Sequence, residues 1–148
     1  MSTAIHQRVI DARAGTNPMA VCQVPSGWAV LADTQFLKGY TLLLPDPVVP
    51  DLNSLEPKQQ FRFLQDMAII GDALMEVTTA FRINYEILGN TTPALYAHII
   101  PRYPGEPAER RQAAVWFYEK TFRHSLPFDL ERHGPLMKDL KEAIQKRL

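Results

Sequence analysis

The chain has 148 residues, and its 16 lysines and arginines balance 16 aspartates and glutamates, so it carries no formal net charge. That balance removes the electrostatic case for bulk binding to nucleic acid or to a membrane surface, although a local basic patch stays possible. A composition 46% apolar and 22% charged is that of a globular domain, and a chain of this length buries about 68–70% of its unfolded surface without needing staples.

Cys22 is the only cysteine, so no internal disulfide forms, and it reads as a small buried hydrophobe. His6, His98, His124 and His133 are too scattered for a local metal motif, and no cofactor or metal is expected. No apolar run approaches the roughly 18 residues of a membrane span. The N-terminus lacks the basic flank and apolar core of a secretory signal. The expected setting is cytoplasmic, with the thiol reduced.

In chain order, residues Ile5–Ala14 suit a short helix closed by Asn17-Pro18. Met19–Val24 and Gly27–Asp33 are apolar runs split by Pro25-Ser26, the pattern of a hairpin. Gly39–Leu44 reads as a strand stopped by Pro45, and Pro45, Pro47 and Pro50 keep the next segment extended. Ser54 or Glu56 ahead of Pro57 opens the main helix, which runs to about Thr79. Phe61, Leu64, Ala68, Gly71, Met75 and Thr79 recur at helical spacing, broadened by Met67, Ile70 and Leu74. That face is expected to pack on a sheet.

Arg82–Leu88 and Leu95–Pro101 read as antiparallel neighbours joined by the polar loop 89–94. Alternation places Ile83, Tyr85, Ile87, Leu95, Ala97 and Ile99 on an apolar face toward the helix. The other face carries Asn84, Ala94, Tyr96 and His98. Arg102 reads as a solvated strand-end charge. Beyond a turn at Pro104–Pro107, Ala108–Phe122 looks helical and holds Trp116, Phe117 and Tyr118, three aromatics read as core or dimer contacts. Gly134-Pro135 opens a last helix, with its basic end at Lys146 and Arg147. His124 and His133 carry no signal. Strands with helices to one side give an α+β class. The division expected is one domain over 1–148, with its core at about 19–104 and a helical extension at 105–148.

Asn84-Tyr85-Glu86, Leu88-Gly89-Asn90, Pro93 and His98-Ile99-Ile100-Pro101-Arg102 together resemble the histidine triad (HIT) family, in its diadenosine-polyphosphate-hydrolase-like branch. The likeness covers residues 19–104. The family signature is His-φ-His-φ-His-φ-φ with φ apolar, and its three histidine positions fall on Ala94, Tyr96 and His98. The resemblance implies a five-stranded antiparallel sheet with helices packed on it, often a homodimer. It also implies a pocket for a nucleotide or another small phosphate-containing ligand. In the family the middle histidine attacks the α-phosphate, the first supports it and the third contacts phosphate oxygens. By position Asp33 would face the ribose, and Asn84, Asn90 and Thr91 would approach ribose or phosphate. A further histidine common after the Pro45 position is absent, with Val48 in its neighbourhood.

Imidazole, with a pKa near 6.5, is neutral and nucleophilic at pH 7 and leaves readily. A phenol near pKa 10 is ionised about once in a thousand at that pH, and its gap of roughly 3.5 units from imidazole is a handicap of about 5 kcal/mol. With Tyr96 in the nucleophile's place and Ala94 unable to support it, the family's covalent chemistry is not expected. Three functions follow. The first is a nucleotide- or phosphate-binding protein with little or no transferase or hydrolase activity. The second is an active hydrolase with an altered mechanism, using Tyr96 and His98. The third is a non-catalytic dimeric interaction protein.

Overall fold

The structure is a computed structural model that describes residues 2–148. Helix α1 (Ala4–Ala14) starts where the Thr3 hydroxyl accepts the backbone N–H groups of Ile5 and His6. It ends at Gly15, whose φ of 74° suits a residue without a Cβ. Strands β1 (Ala20–Val24), β2 (Gly27–Leu31) and β3 (Thr41–Pro45) follow, then helix α2 (Pro57–Val77), then β4 (Arg82–Ile87) and β5 (Ala97–Arg102). The five strands form one antiparallel sheet in the order β1-β2-β3-β5-β4. The expected strands are therefore all present. The one notable shift is β5, which begins at Ala97 rather than Leu95. Its would-be first residues are drawn away, because Leu95 N–H donates to Val49 O and Ala94 N–H to Thr92 O.

Helix α2 packs on the face carrying Ala29, Leu31, Leu43, Ala97 and Ile99. The stripe it buries is Phe63, Met67, Ile70 and Leu74, each worth roughly 1.5–3 kcal/mol of apolar burial. The stripe expected to lead that contact does not. Phe61 is 75% exposed, Leu64 44% and Met75 42%. Both sets of positions have helical spacing, so periodicity alone cannot choose between them. Gly71 shows what chooses. The Tyr85 hydroxyl of β4 lies so close to it that a Cβ there would collide, and this approach fixes the rotation of α2 on the sheet. Helix α5 (Leu130–Gln145) packs beside α2 through Leu140, Ala143 and Ile144.

The opposite sheet face is not simply polar. Ile5 and Val9 of α1, Tyr40, Leu42 and Leu44 around β3, Ala94, Ile100 and Val115 form a second buried cluster there. Residues 108–122 are not one helix. They form one-turn helices α3 (Ala108–Arg111) and α4 (Lys120–Arg123) around a 3-10 turn at Val115–Phe117. The cause is Arg102. Its guanidinium takes the carbonyls of Arg110 at 2.7 Å and Ala113 at 2.6 Å, acceptors that a continuing helix would need. Helix α5 likewise opens before Gly134-Pro135, because Asp129 caps it by accepting Arg132 N–H at 2.9 Å. Among the described residues no helix is long and apolar enough to cross a membrane.

Candidate functional site

A cavity of about 210 Å³ lies on the second face. Its floor is Leu42 of β3 and His98 of β5, which sit opposite each other in register. Its walls come from three separate parts of the chain. Helix α1 supplies Ile5 and Arg8, the turn after β2 supplies Asp33, Thr34 and Phe36, and the C-terminal segment supplies Trp116, Arg123 and His124. That segment is stitched to the turn. Gln35 N–H donates to Leu126 O at 2.7 Å, Phe128 N–H to Asp33 O at 2.8 Å, and the Thr34 hydroxyl to Arg123 O.

His98 is 7% exposed and sits in a ring of aromatics. Its Nδ1 is 2.6 Å from the Tyr40 hydroxyl. The Tyr96 ring lies 5.1 Å away, centroid to centroid, and Trp116 meets it edge-to-face at 5.4 Å and 81°. Burial holds His98 below the usual imidazole pKa, against an opposing pull from Glu86, so the ring is neutral at pH 7. Burial pushes Tyr40 up, reinforced by Glu86, so its hydroxyl keeps its proton. Trp116 is held from both sides. Its Nε1–H donates to Glu86 at 2.6 Å, and the Arg123 guanidinium lies 5.3 Å over its ring.

Among the residues singled out from sequence, Tyr96, His98 and Asp33 line this cavity. Asp33 is at the rim and pairs with Arg8 at 3.2 Å. Ala94 does not line it; it is 1% exposed within the second core. Asn84 shares the face of His98 but does not line the cavity, its amide oxygen taken by Arg102 at 2.8 Å. Asn90 and Thr91 are exposed on the β4–β5 loop, and their neighbour Thr92 is the loop residue that reaches the cavity. Arg102 is no solvated charge. It is 2% exposed and ion-paired with Glu106 at 3.0 Å. Glu106 also accepts the Tyr118 hydroxyl at 2.7 Å. The aromatic run divides, with Trp116 in the cavity wall, Tyr118 buried on Glu106 and Phe117 exposed. His133 is buried too, its Nδ1 accepting Asp129 N–H at 3.0 Å.

Tyr40, Glu86, Arg8 and Arg123 escaped sequence reasoning. A signal existed for Tyr40, which alternates with Leu42 and Leu44 along β3, and for Glu86, which alternates with Asn84 along β4. Arg8 and Arg123 gave none, since only the fold brings the two ends of the chain to one cavity.

The chain aligns along 95% of its length with 95% of a histidine triad protein from Marinobacter aquaeolei VT8, at a TM-score of 0.74 and 21% identity. The chain has the histidine triad fold. A histidine triad protein from Bradyrhizobium japonicum matches at a TM-score of 0.70 and 24% identity, over 84% of this chain and 89% of that one. A hypothetical histidine triad nucleotide-binding protein from Sulfolobus tokodaii strain7 matches at 0.72 and 15%, over 95% and 92%. No protein-family model and no curated protein matches the sequence.

Proposed function

We propose that this protein binds a nucleotide or another small phosphate-containing ligand in the His98 cavity, with nucleotidyl transfer weak or absent. The observation that carries the reading is the character of that cavity. It joins basic groups (Arg8, Arg123 and His124) to aromatic walls, with His98 at the floor, and a tyrosine stands where the signature has its middle histidine. Arg123 lines the cavity with no carboxylate partner among the described residues. A guanidinium in that position favours an anion. Asp33, whose carboxylate is 67% exposed, is placed to accept ribose hydroxyls. Tyr96 would stand beside the phosphate as a wall and hydrogen-bond donor. Asn90 and Thr91 would reach only a ligand that extends out past Thr92. The volume is small beside the roughly 300–1,000 Å³ of pockets for drug-sized ligands, which favours a mononucleotide over a dinucleotide.

Calorimetric titration with AMP and diadenosine tetraphosphate tests this. Binding of AMP with no release of product from either compound is expected. No heat at millimolar nucleotide would reject the binding reading. Turnover abolished in both Tyr96→Phe and His98→Ala would establish the altered hydrolase instead.

We also propose a homodimer. Strand β4 is an open edge of the sheet, and such an edge invites pairing. A groove of about 720 Å³ runs along it. Phe61, Leu64 and Met75 of α2, Tyr85 of β4 and Leu88 just beyond it are exposed apolar side chains. A second copy related by a twofold axis would pair β4 with β4 and cover these side chains with its own. The lone, buried Cys22 thiol suits a reducing, cytoplasmic setting.

A further inference from the structure

Tyr40 lies on the cavity wall with its ring in the second core, and it is 5% exposed. Its backbone is held on both sides, since the carbonyl accepts Ala32 N–H at 2.9 Å and Gln35 Nε2–H at 2.8 Å. Its hydroxyl makes one hydrogen bond among the described residues, to His98 Nδ1 at 2.6 Å. His98 Nε2, the other ring nitrogen, makes none among the described residues, and the ring borders the cavity.

A neutral imidazole has one N–H and one lone pair, so this single contact decides what Nε2 carries. If Nδ1–H donated to the phenol oxygen, the phenol hydrogen would be left in a buried site without a protein acceptor. If the phenol donates to Nδ1, both groups are satisfied and the ring proton resides on Nε2. The second arrangement pairs the buried phenol and Nδ1 and leaves only Nε2–H toward the cavity, and 2.6 Å suits an O–H donor.

We propose that Tyr40 fixes His98 as its Nε2–H tautomer, so that the cavity offers a neutral hydrogen-bond donor and no imidazole lone pair. Tyr40 is thus a positioning residue that decides what the site accepts. The ligand group opposite Nε2 has to be an acceptor, such as an ionised phosphate oxygen. While the Tyr40 bond holds, His98 can neither attack phosphorus nor take a proton from Tyr96 or from water. The ligand consequence rests on the phosphate reading above, whereas the tautomer stands on the geometry alone.

A neutral donor and an imidazolium differ in pH response. Around His98 the groups that could add their own titration or charge are Tyr40 and Tyr96, Glu86 and Asp33, and Arg8, Arg123 and His124. His124 is the other histidine of the lining, so affinity is measured in a His124→Gln background. From about pH 7 to about pH 8, AMP affinity there is expected to change less than about threefold. An imidazolium contact would weaken it by nearly tenfold, and that result would overturn the proposal.

The direct measurement is imidazole ¹⁵N NMR of the ligand-free protein, with His98 assigned by its loss in His98→Asn. A pyrrole-like Nε2 and a pyridine-like Nδ1 are expected near pH 7. Tyr40→Phe should convert His98 to a tautomer mixture while the remaining spectrum stays folded. An Nδ1–H pattern or a mixture in the wild-type protein would overturn the proposal whether or not Tyr40→Phe folds. A correct tautomer pattern with no AMP or inorganic phosphate binding would instead reject the ligand reading and leave Tyr40's role intact.

Discussion

Replacing Arg102 by methionine tests whether the cavity wall depends on one buried ion pair. The guanidinium bonds to Glu106 through Nε at 3.2 Å and Nη2 at 3.0 Å. It also holds Asn84 Oδ1 at 2.8 Å and the carbonyls of Arg110 and Ala113. Both side chains of the pair are almost sealed, at 3% and 5% exposure. Methionine fills much of the volume but leaves Glu106 as a buried carboxylate without its cation. Removing one partner of such a pair costs about 3–5 kcal/mol. For a chain of this length each kcal/mol moves Tm by about 2–4 °C, so a loss of about 10 °C is expected. Urea unfolding followed by far-UV circular dichroism gives the free energy. In a Trp28→Phe background, tryptophan fluorescence reports on Trp116, which meets the His98 ring edge-on and lies in the segment that follows Arg110 and Ala113. Adding Glu106→Gln to Arg102→Met should recover part of the loss, because the stranded charge is gone. A cost under about 1 kcal/mol for the single variant would refute the idea that this pair anchors the segment.

The same pair sets an acid limit. Burial alone would raise the Glu106 pKa, but the bonds from Arg102, Tyr103 N–H and Tyr118 outweigh it and hold the carboxyl below the usual range. Its contribution is therefore complete above the unfolded value of about 4.3 and is lost as pH falls through the depressed folded value. A urea series in that window should show a steeper acid loss in the wild-type protein than in Arg102→Met/Glu106→Gln. Placing the signature's histidines in this chain tests the resemblance against the geometry. Tyr96→His should fold, and in combination with Tyr40→Phe it should give measurable release of product from a fluorogenic nucleotide ester. Ala94→His should instead cost about 1–3 kcal/mol by overpacking, since Ala94 is 1% exposed; thermal melting that finds this variant as stable as wild type would contradict that. Leu64→Glu should shift the light-scattering mass of a dimer to that of one chain with the circular dichroism spectrum unchanged.

The fold was largely legible because its signals are local. Pro45 stops β3, Pro57 opens α2, and the alternation from Ile83 to Ile87 marks a strand with one face on a helix. What was not legible depends on partners far along the chain. Arg102 reads as a terminal charge until Glu106, Arg110 and Ala113 fold back on it, and only then does the helical pattern of residues 108–122 break. The two apolar stripes of α2 are equivalent in sequence, and the collision that a Cβ at Gly71 would suffer on Tyr85 separates them.

The cavity follows the same logic. His98, Tyr96 and Asp33 stand out in the sequence because they fall in recognisable strands and turns. Tyr40, Glu86 and Trp116 decide what His98 can do, and each acts across a sheet register or a chain end. His98 pairs with Glu86 across β4–β5 and sits opposite Leu42 across β3–β5, which brings the Tyr40 hydroxyl to Nδ1. Glu86 in turn holds Trp116 against the ring. A histidine at a signature position therefore has its chemistry set by these neighbours as well as by its place in the strand. The strand supplies the imidazole, and under the tautomer proposed above the Tyr40 hydroxyl behind it makes that imidazole a donor rather than a nucleophile or a base.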